Sequence, residues 1–339
     1  MEFKKFKAAT VQAAPVFMDV EKTIAKAVSM VQEAGRNGAR LIAFPEVFVA
    51  GYPYWNWIMT PVQGSKWYEI LYKNSLRPED AAMQPLYDAA RENGIHIVIG
   101  INERGDSYGE IYNTNLIIDD RGSLIGRHRK LVPTWAEKLT WTGGDGSSLK
   151  VYHTEIGPIG TLACGENTNT LARFTLLSQG ELIHIANYIS LPVAPPDYDM
   201  AEAIKIRAFA HSFEGKLFTI VSCSTISQEI KDALRQDVPG ADELLTRKSS
   251  AFSGFIGPNG AVMGEPLIDT EGILYAEIDL AKCIQPKQMH DILGHYNRFD
   301  IFDLRVNIAP TRKITFTGGE AENQDSGNSS SPHSNTSGK

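Results

Sequence analysis

Cys164, Glu46 and Lys130 are the residues whose types and positions could carry chemistry together. Cys164 stands in Ile159-Gly160-Thr161-Leu162-Ala163-Cys164-Gly165-Glu166-Asn167, where an apolar strand gives way to a helix. A nucleophile on such a turn has unpaired backbone N–H groups beside it, which can hold the negative charge that develops on an attacked centre. Glycine at 165 lets a substrate atom approach the backbone closely. The alternative for a free cysteine is a small core hydrophobe; Cys223, inside an apolar strand, and Cys283 fit that role better. Glu46 follows Leu41-Ile42-Ala43-Phe44 and Pro45, at the carboxyl end of a strand, where α/β folds gather their ligands. A turn cap is the other reading, but a carboxylate beside a buried strand needs a partner or a task. Lys130 ends the basic run Arg127-His128-Arg129-Lys130. Arg127 and Arg129 read as a solvated edge, whereas alternation and the following turn can aim Lys130 inward. His128 reads as a hydrogen-bonded structural group.

No metal-ligand spacing accompanies these residues. His290 and His295 lie five apart with no matching cysteine or histidine pair, and there is no Walker loop or strand-to-helix GxGxxG. The expectation is a Cys/Glu/Lys site without a cofactor or metal.

The elements that must position these side chains are legible in the periodicity. Lys7–Gln12 alternates as a strand, and Asp19 caps a helix whose stripe is Val20, Ile24, Ala27, Val28, Val31 and Ala34. Gly35 and Gly38 end it before the buried strand leading to Glu46. The order recurs as strand 159–163, helix 171–177 and strand 182–186, then helix 201–213 and strand 217–223. Two similar hairpins, 116–126 and 255–264, each place a Gly-ended turn between apolar strands. This weak duplication predicts two similar sheets, hence an α/β fold built as a four-layer α-β-β-α sandwich. A single doubly wound sheet would explain the strand–helix–strand units but not the hairpins as well. Two segments look inserted, the aromatic-rich 52–74 and the charged, amphipathic 228–246. Residues 1–317 form the expected domain; from Gly318 the polar, Ser- and Asn-rich tail 318–339 is too poor in apolar residues to order itself.

Composition bounds the partners. The 339 residues are 42% hydrophobic and 22% charged, sufficient for one large core. A net charge of −7 with no extended basic block argues against nucleic acid or an anionic membrane. No apolar run approaches the ~20 residues that span a bilayer. Three scattered cysteines and no signal-peptide pattern make a reducing cytoplasm the expected location.

Three stretches in order resemble the nitrilase branch of the carbon–nitrogen hydrolase superfamily: Phe44-Pro45-Glu46-Val47-Phe48, His128-Arg129-Lys130-Leu131-Val132-Pro133-Thr134-Trp135-Ala136-Glu137, and Ala163-Cys164-Gly165-Glu166-Asn167. Further likeness runs through Gly143-Gly144-Asp145 and Gly294-His295-Tyr296-Asn297-Arg298, so the resemblance covers nearly everything before the tail. It implies Cys164 as nucleophile, Glu46 as general base, Lys130 as cationic stabiliser, and Glu137 as a second glutamate that positions Lys130. It implies the same sandwich, assembled as dimers that often extend into spirals. The chain departs from the family at Gly165, where many nitrilases carry tryptophan.

The activity so implied is hydrolysis of a small nitrile to the acid and ammonia through a thioimidate and a thioester. Pocket candidates are Gly165, Tyr52, Trp135, Asn187 and Tyr188, which fall near the ends of the catalytic segments. The rivals are an amidase or carbamoylase on the same scaffold, and a non-enzymatic, filament-forming homologue. A homo-oligomer larger than a dimer is expected, held partly by segments 52–74 and 228–246.

Overall fold

The computed structural model describes residues 3–195 and 197–315. The expected tail from Gly318 lies outside the described residues. One compact unit runs to Ala309, and Pro310–Thr315 beyond it contain neither helix nor strand.

The strands, in chain order, are β1 (Lys5–Gln12), β2 (Ala39–Ala43), β3 (His96–Arg104), β4 (Ile111–Ile118), β5 (Leu124–Arg129), β6 (Tyr152–Thr154), β7 (Gly157–Ala163), β8 (Ile183–Tyr188), β9 (Phe218–Cys223), β10 (Phe252–Ile256), β11 (Val262–Ile268) and β12 (Gly272–Asp279). They pair as β12-β1-β2-β3-β4-β5 and as β6-β7-β8-β9-β10-β11, and Gln12 pairing with Cys223 joins the two halves at one point. Each half has an antiparallel edge strand, then three parallel strands, then an antiparallel hairpin. The duplication read from the two hairpins therefore extends to the whole pairing pattern.

Alternation along each strand explains the layering, because a strand sends successive side chains to opposite faces. Phe6 and Ala8 of β1, with Leu41, Val98 and Ile117, meet Ile159, Ile185 and Ile220 of the other half, forming the core between the sheets. Ala9 and Val11 of β1 point the other way, onto Ile24, Ala27, Val31 and Ala34 of helix Val20–Arg36 and onto Leu86 and Ala90 of helix Gln84–Asn93. The second half is covered likewise: Ala186, Val221 and Phe252 pack against Ala201, Ile204 and Ala208 of helix Met200–Gly215. This is the four-layer α-β-β-α arrangement, not a single doubly wound sheet. The helix start at Asp19 is set as expected, its side chain accepting from the Lys22 N–H.

The inner faces also carry a polar clasp. Asn115 of β4 donates to Thr161 Oγ1 of β7 at 2.8 Å and to Asn187 Oδ1 of β8 at 2.9 Å, and Asn187 Nδ2 donates back to Asn115 Oδ1 at 2.6 Å. Each buried amide is satisfied across the sheets, so the clasp holds the sheets in one register without an unpaired polar atom on either carboxamide oxygen. Gly100 of β3 has a different purpose. A Cβ there would lie 2.2 Å from the Val47 backbone nitrogen and 2.6 Å from the Pro45 carbonyl oxygen, so only glycine lets the segment carrying Glu46 pass this closely.

The two inserted segments bury their apolar sides against one another. Trp55, Trp67 and Leu71 of the first join Ile230, Leu234, Ala241 and Leu245 of the second in one cluster. Trp67 Nε1 donates to Asp237 Oδ2 at 2.8 Å, and Lys66 pairs with the same carboxylate. Their amphipathic character, read from sequence as a surface for another subunit, is largely spent inside the chain.

Candidate active site

Glu46, Lys130 and Cys164 come from the ends of β2, β5 and β7, which the sandwich gathers at one end. Backbone bonds fix the approach of each segment. Lys130 N–H donates to the Asn113 carbonyl of β4 at 2.8 Å, and Glu46 N–H to the Tyr188 carbonyl of β8 at 3.3 Å. Three non-glycine residues here adopt the left-handed region: Val47 (φ 40°), Trp135 (φ 45°) and Cys164 (φ 50°). Such conformations cost of order 1–3 kcal/mol each and persist only where surrounding contacts over-determine them.

The carboxylates and the ammonium form one buried array. Lys130 Nζ donates to Glu46 Oε1 at 2.9 Å and to Glu137 Oε2 at 2.7 Å, and all three side chains are essentially inaccessible. Glu137 is fully engaged, since its Oε2 also accepts from the Thr134 N–H and its Oε1 from Tyr52 Oη at 2.9 Å. Tyr52 Oη in turn accepts from Trp57 Nε1 at 2.9 Å. Glu46 is different. Its Oε1 takes both Lys130 and Asn113 Nδ2 (2.7 Å), while its Oε2 is buried with no hydrogen-bond partner. One carboxylate is thus clamped on both oxygens, and the other keeps a free oxygen able to take a proton.

The charges shift one another. Burial raises the Glu46 pKa, opposed by Lys130 and reinforced by Glu137. Burial pulls Lys130 down, but Glu137 and Glu46 outweigh it and hold the ammonium charged well above its ordinary range. Burial, then Glu46, pushes the Cys164 thiol well up despite the opposing Lys130 charge, so the resting group is the thiol.

Cys164 is 8% exposed and opens onto a cavity of about 220 Å³ together with Glu137, Gly165, Thr134, Trp57, Trp135 and Arg207. Trp135, 70% exposed, and Trp57 make a tilted pair at its wall, with ring centroids 6.2 Å apart. Gly165 and Trp135 thus line the cavity, as expected from their places in the chain. Tyr52, Asn187 and Tyr188 do not: Tyr52 stands behind Glu137, Asn187 belongs to the clasp between sheets, and Tyr188 packs with the outer-face core. Asn187 and Tyr188 are strand neighbours that alternation turns to opposite faces, and Tyr52, in a loop, is held inward by its bond to Glu137. A larger groove of about 880 Å³ lies elsewhere, along Phe213, Phe218, Met263 and Met289, with neither a cysteine nor a carboxylate in its lining.

Two buried acids escaped assignment from the sequence. Glu166 accepts from Leu131 N–H (2.6 Å), from Ala163 N–H (2.9 Å) and from His128 Nε2 (3.0 Å), tying the residue after Lys130 to the residue before Cys164. Burial works against its charge, but His128 outweighs that and lowers its pKa. His128 is therefore the hydrogen-bonded structural group its position suggested. Behind Cys164, Glu181 bonds His184 Nδ1 at 2.7 Å and His211 Nε2 at 3.0 Å, and His184 Nε2 meets Asn167 Oδ1 at 2.8 Å. Asn167 Nδ2 donates to the carbonyl of Cys164 itself at 3.0 Å, so this relay braces the nucleophile's turn. Glu181, His184 and His211 also have the types and closeness of a metal-ligand set, a grouping invisible to spacing rules. Their mutual hydrogen bonds already occupy most of the ligand atoms.

That cluster makes stability acid-sensitive. Burial, then the neighbouring His184, depresses His211 to about 4, so the folded chain keeps it neutral while the unfolded chain protonates it near 6.5. Against burial, His184 and His211 hold the Glu181 carboxylate down at about 2. Stability should fall as pH drops from 6.5 toward 4, through His211, by on the order of 3 kcal/mol, and fall further below 4.5, through Glu181. Urea midpoints measured across this range check it: His211→Gln should flatten the slope between pH 6.5 and 4. An unchanged slope would remove His211 as its source.

Comparison with known proteins gives the family to which this fold belongs. The carbon–nitrogen hydrolase family model matches residues 7–288. An aliphatic nitrilase of Rhodococcus rhodochrous is 37% identical over 91% of this chain and 84% of its own. A nitrilase of Bacillus sp. (strain OxB-1) is 34% identical over 94% of this chain and 93% of its own. Among solved structures, a carbon–nitrogen hydrolase from Helicobacter pylori G27 aligns with a TM-score of 0.65 at 20% identity, covering 84% of this chain and 92% of that one, which shows the shared fold. With its sandwich, its matched length and its sequence likeness, the chain belongs to the carbon–nitrogen hydrolase family.

Proposed function

We propose that the protein is a nitrilase, hydrolysing a small organic nitrile to the carboxylic acid and ammonia. The observation that carries this reading is the buried Glu46–Lys130–Glu137 array beside Cys164, with one Glu46 oxygen left free. The names of the relatives support the nitrile as substrate.

Cys164 sulfur bonds to the nitrile carbon as Glu46 Oε2 takes the thiol proton and passes it to nitrogen, giving a thioimidate. Water then adds to that carbon, Glu46 again relaying its proton, and the amine leaves as ammonia with the C–N bond broken. A thioester remains. Glu46 activates a second water, whose oxygen displaces sulfur and releases the acid; the proton returns to the Cys164 thiolate. Lys130, held by both glutamates, stabilises the negative charge of each adduct beside the Gly165 backbone. Glu137 cannot serve equally as base, since donors occupy both its oxygens.

Supplying matched nitriles and amides, measuring ammonia, and weighing the protein for an adduct on Cys164 tests the assignment. Ammonia and a Cys164 acyl adduct from nitriles support it. Turnover of amides alone would make the protein an amidase or carbamoylase of the same family, and no adduct from either would point to the non-enzymatic reading.

Among the described residues no helix is long and apolar enough to cross a membrane. Assembly as a homo-oligomer larger than a dimer, capable of extending into a spiral, is also proposed. Support comes from exposed Leu171, Ile206 and Phe213 on the outer helices and Val62 and Leu244 on the insertions. Light scattering should give a mass above the dimer at working concentration. A fully active monomer would remove this claim.

A further inference from the structure

Arg207 lines the same cavity as Cys164, on the helix Met200–Gly215. The rest of the wall is mostly aromatic or aliphatic: Trp57, Trp135, Leu191, Pro195 and Met200. A guanidinium in such a wall ordinarily has a carboxylate beside it, because a partly buried cation is costly unless paired. Several arginines of this chain are paired in this way, with Arg104 on Asp80, Arg127 and Arg129 on Glu103, and Arg173 on Glu214, whereas Arg77 donates to the Gly105 carbonyl. Among the described residues no carboxylate lies within ion-pair distance of Arg207. It is held instead by neutral acceptors: Nε donates to Thr168 Oγ1 at 2.5 Å, Nη1 to the Ala203 carbonyl at 2.8 Å, and Nη2 to Tyr198 Oη at 2.9 Å. These contacts fix the guanidinium but use three of its five N–H donors, leaving two. Close by, Tyr188 Oη is buried and has no hydrogen-bond partner among the described residues, and its phenol feels the charges of Arg207, Cys164 and Glu46.

A fixed cation with spare donors, in an apolar cavity shared with the nucleophile, is built to orient an anion. We propose that Arg207 receives a carboxylate on the substrate, so that the preferred nitriles are short cyano-carboxylates. The inference rests on the nitrilase reading and names its substrate class. A cavity of about 220 Å³ is small for a binding site, which favours a short chain between the nitrile and the carboxylate. Within the array Lys130 offsets one of the two carboxylates and Arg207 brings the formal charge of the site to zero, so the case for an anion lies in the place of Arg207 on the cavity wall and its two unused donors. Holding the far end of the substrate would place the nitrile carbon against Cys164, the positioning effect that turns binding into rate.

The test compares 3-cyanopropanoate with its neutral near-isostere 4-oxopentanenitrile. In the parent protein kcat/KM should favour the anion at least tenfold, and Arg207→Gln should reduce that ratio at least tenfold, mainly through KM. Arg207→Lys, which keeps the charge without the fork, should fall between. Calorimetry on Cys164→Ala protein adds an arm that needs no catalysis: 3-cyanopropanoate should bind, and at least tenfold more weakly when Arg207→Gln is added. Equal use of the two nitriles by the parent, or anion binding indifferent to Arg207, overturns the proposal. If Arg207→Gln does not fold, the parent ratio and the lysine variant decide. Should neither nitrile release ammonia or modify Cys164, the substrate class proposed here fails, the matched nitriles and amides decide the nitrilase reading separately, and Arg207-dependent binding of the anion decides the anion site.

Discussion

Replacing Glu46 with glutamine should lower turnover by about 10²–10⁴-fold, the usual cost of a lost general base. The geometry makes the substitution unusually clean. Glutamine's carbonyl oxygen can stay on Lys130 Nζ and Asn113 Nδ2, the two donors now shared by Oε1. Its amide nitrogen then takes the place of Oε2, the buried oxygen that has no partner. The one atom able to accept the Cys164 proton becomes a donor, while the frame around it stays the same. A second readout has the opposite sense. Glu46 is, after burial, the largest influence holding the Cys164 thiol up. Removing its charge should let the thiol titrate at lower pH than in the parent, followed by alkylation rate against pH. Lost hydrolysis with an easier thiolate separates proton transfer during attack from a preformed thiolate pair. Near-parental turnover in Glu46→Gln would show that another group is the base.

Lys130→Met should cost both stability and rate, because Lys130 is the cation between two buried carboxylates. Methionine approximates the length and volume of the alkyl stem but leaves Glu46 and Glu137 facing each other uncompensated. Breaking a buried pair by removing one partner costs about 3–5 kcal/mol. Loss of a charge-stabilising donor at the reacting centre typically removes a further ~2.7–4 kcal/mol from the transition state, or roughly 10²–10³-fold in turnover. The stability loss should depend on pH. With Lys130 gone, the Glu46 carboxyl, already raised by burial, rises further above its unfolded value. The variant then regains stability as pH falls through that raised folded value toward about 4.5, where the unfolded carboxyl also protonates. Urea denaturation at pH 8 and pH 5.5, with kcat beside it, measures all three effects. A variant as stable and active as the parent would sink the assignment of Lys130 as the central cation.

Much of the fold could be read along the chain because its causes are local. The stripe Ile24, Ala27, Val31, Ala34 has helical period whatever it packs against, and Asp19 caps that helix through Lys22, three residues away. The hairpins turn at Gly122 and Gly260, both at positive φ (79° and 74°), where glycine is the residue that turns without strain. Likewise Glu46, Lys130 and Cys164 each stand at a strand end, where their types suggested a nucleophile, a cation and a carboxylate with a task, and the resemblance implied that the carboxylate is the base.

What those residues do to one another depended on contacts between distant segments. Lys130 reaches Glu46 across 84 residues of chain, and Asn113 reaches it across 67. No periodicity encodes such pairs; sheet order and register create them. Tyr52, Asn187 and Tyr188 sit near the catalytic segments in sequence, yet a buried bond to Glu137 holds Tyr52 and strand alternation turns Asn187 and Tyr188 to opposite faces, so none lines the cavity, while Arg207 enters it from a helix with no catalytic motif. The amphipathic insertions show the same limit. An apolar stripe declares that it will be buried, and only the packing of Trp67 against the segment around Asp237 shows that the burial lies largely within this chain.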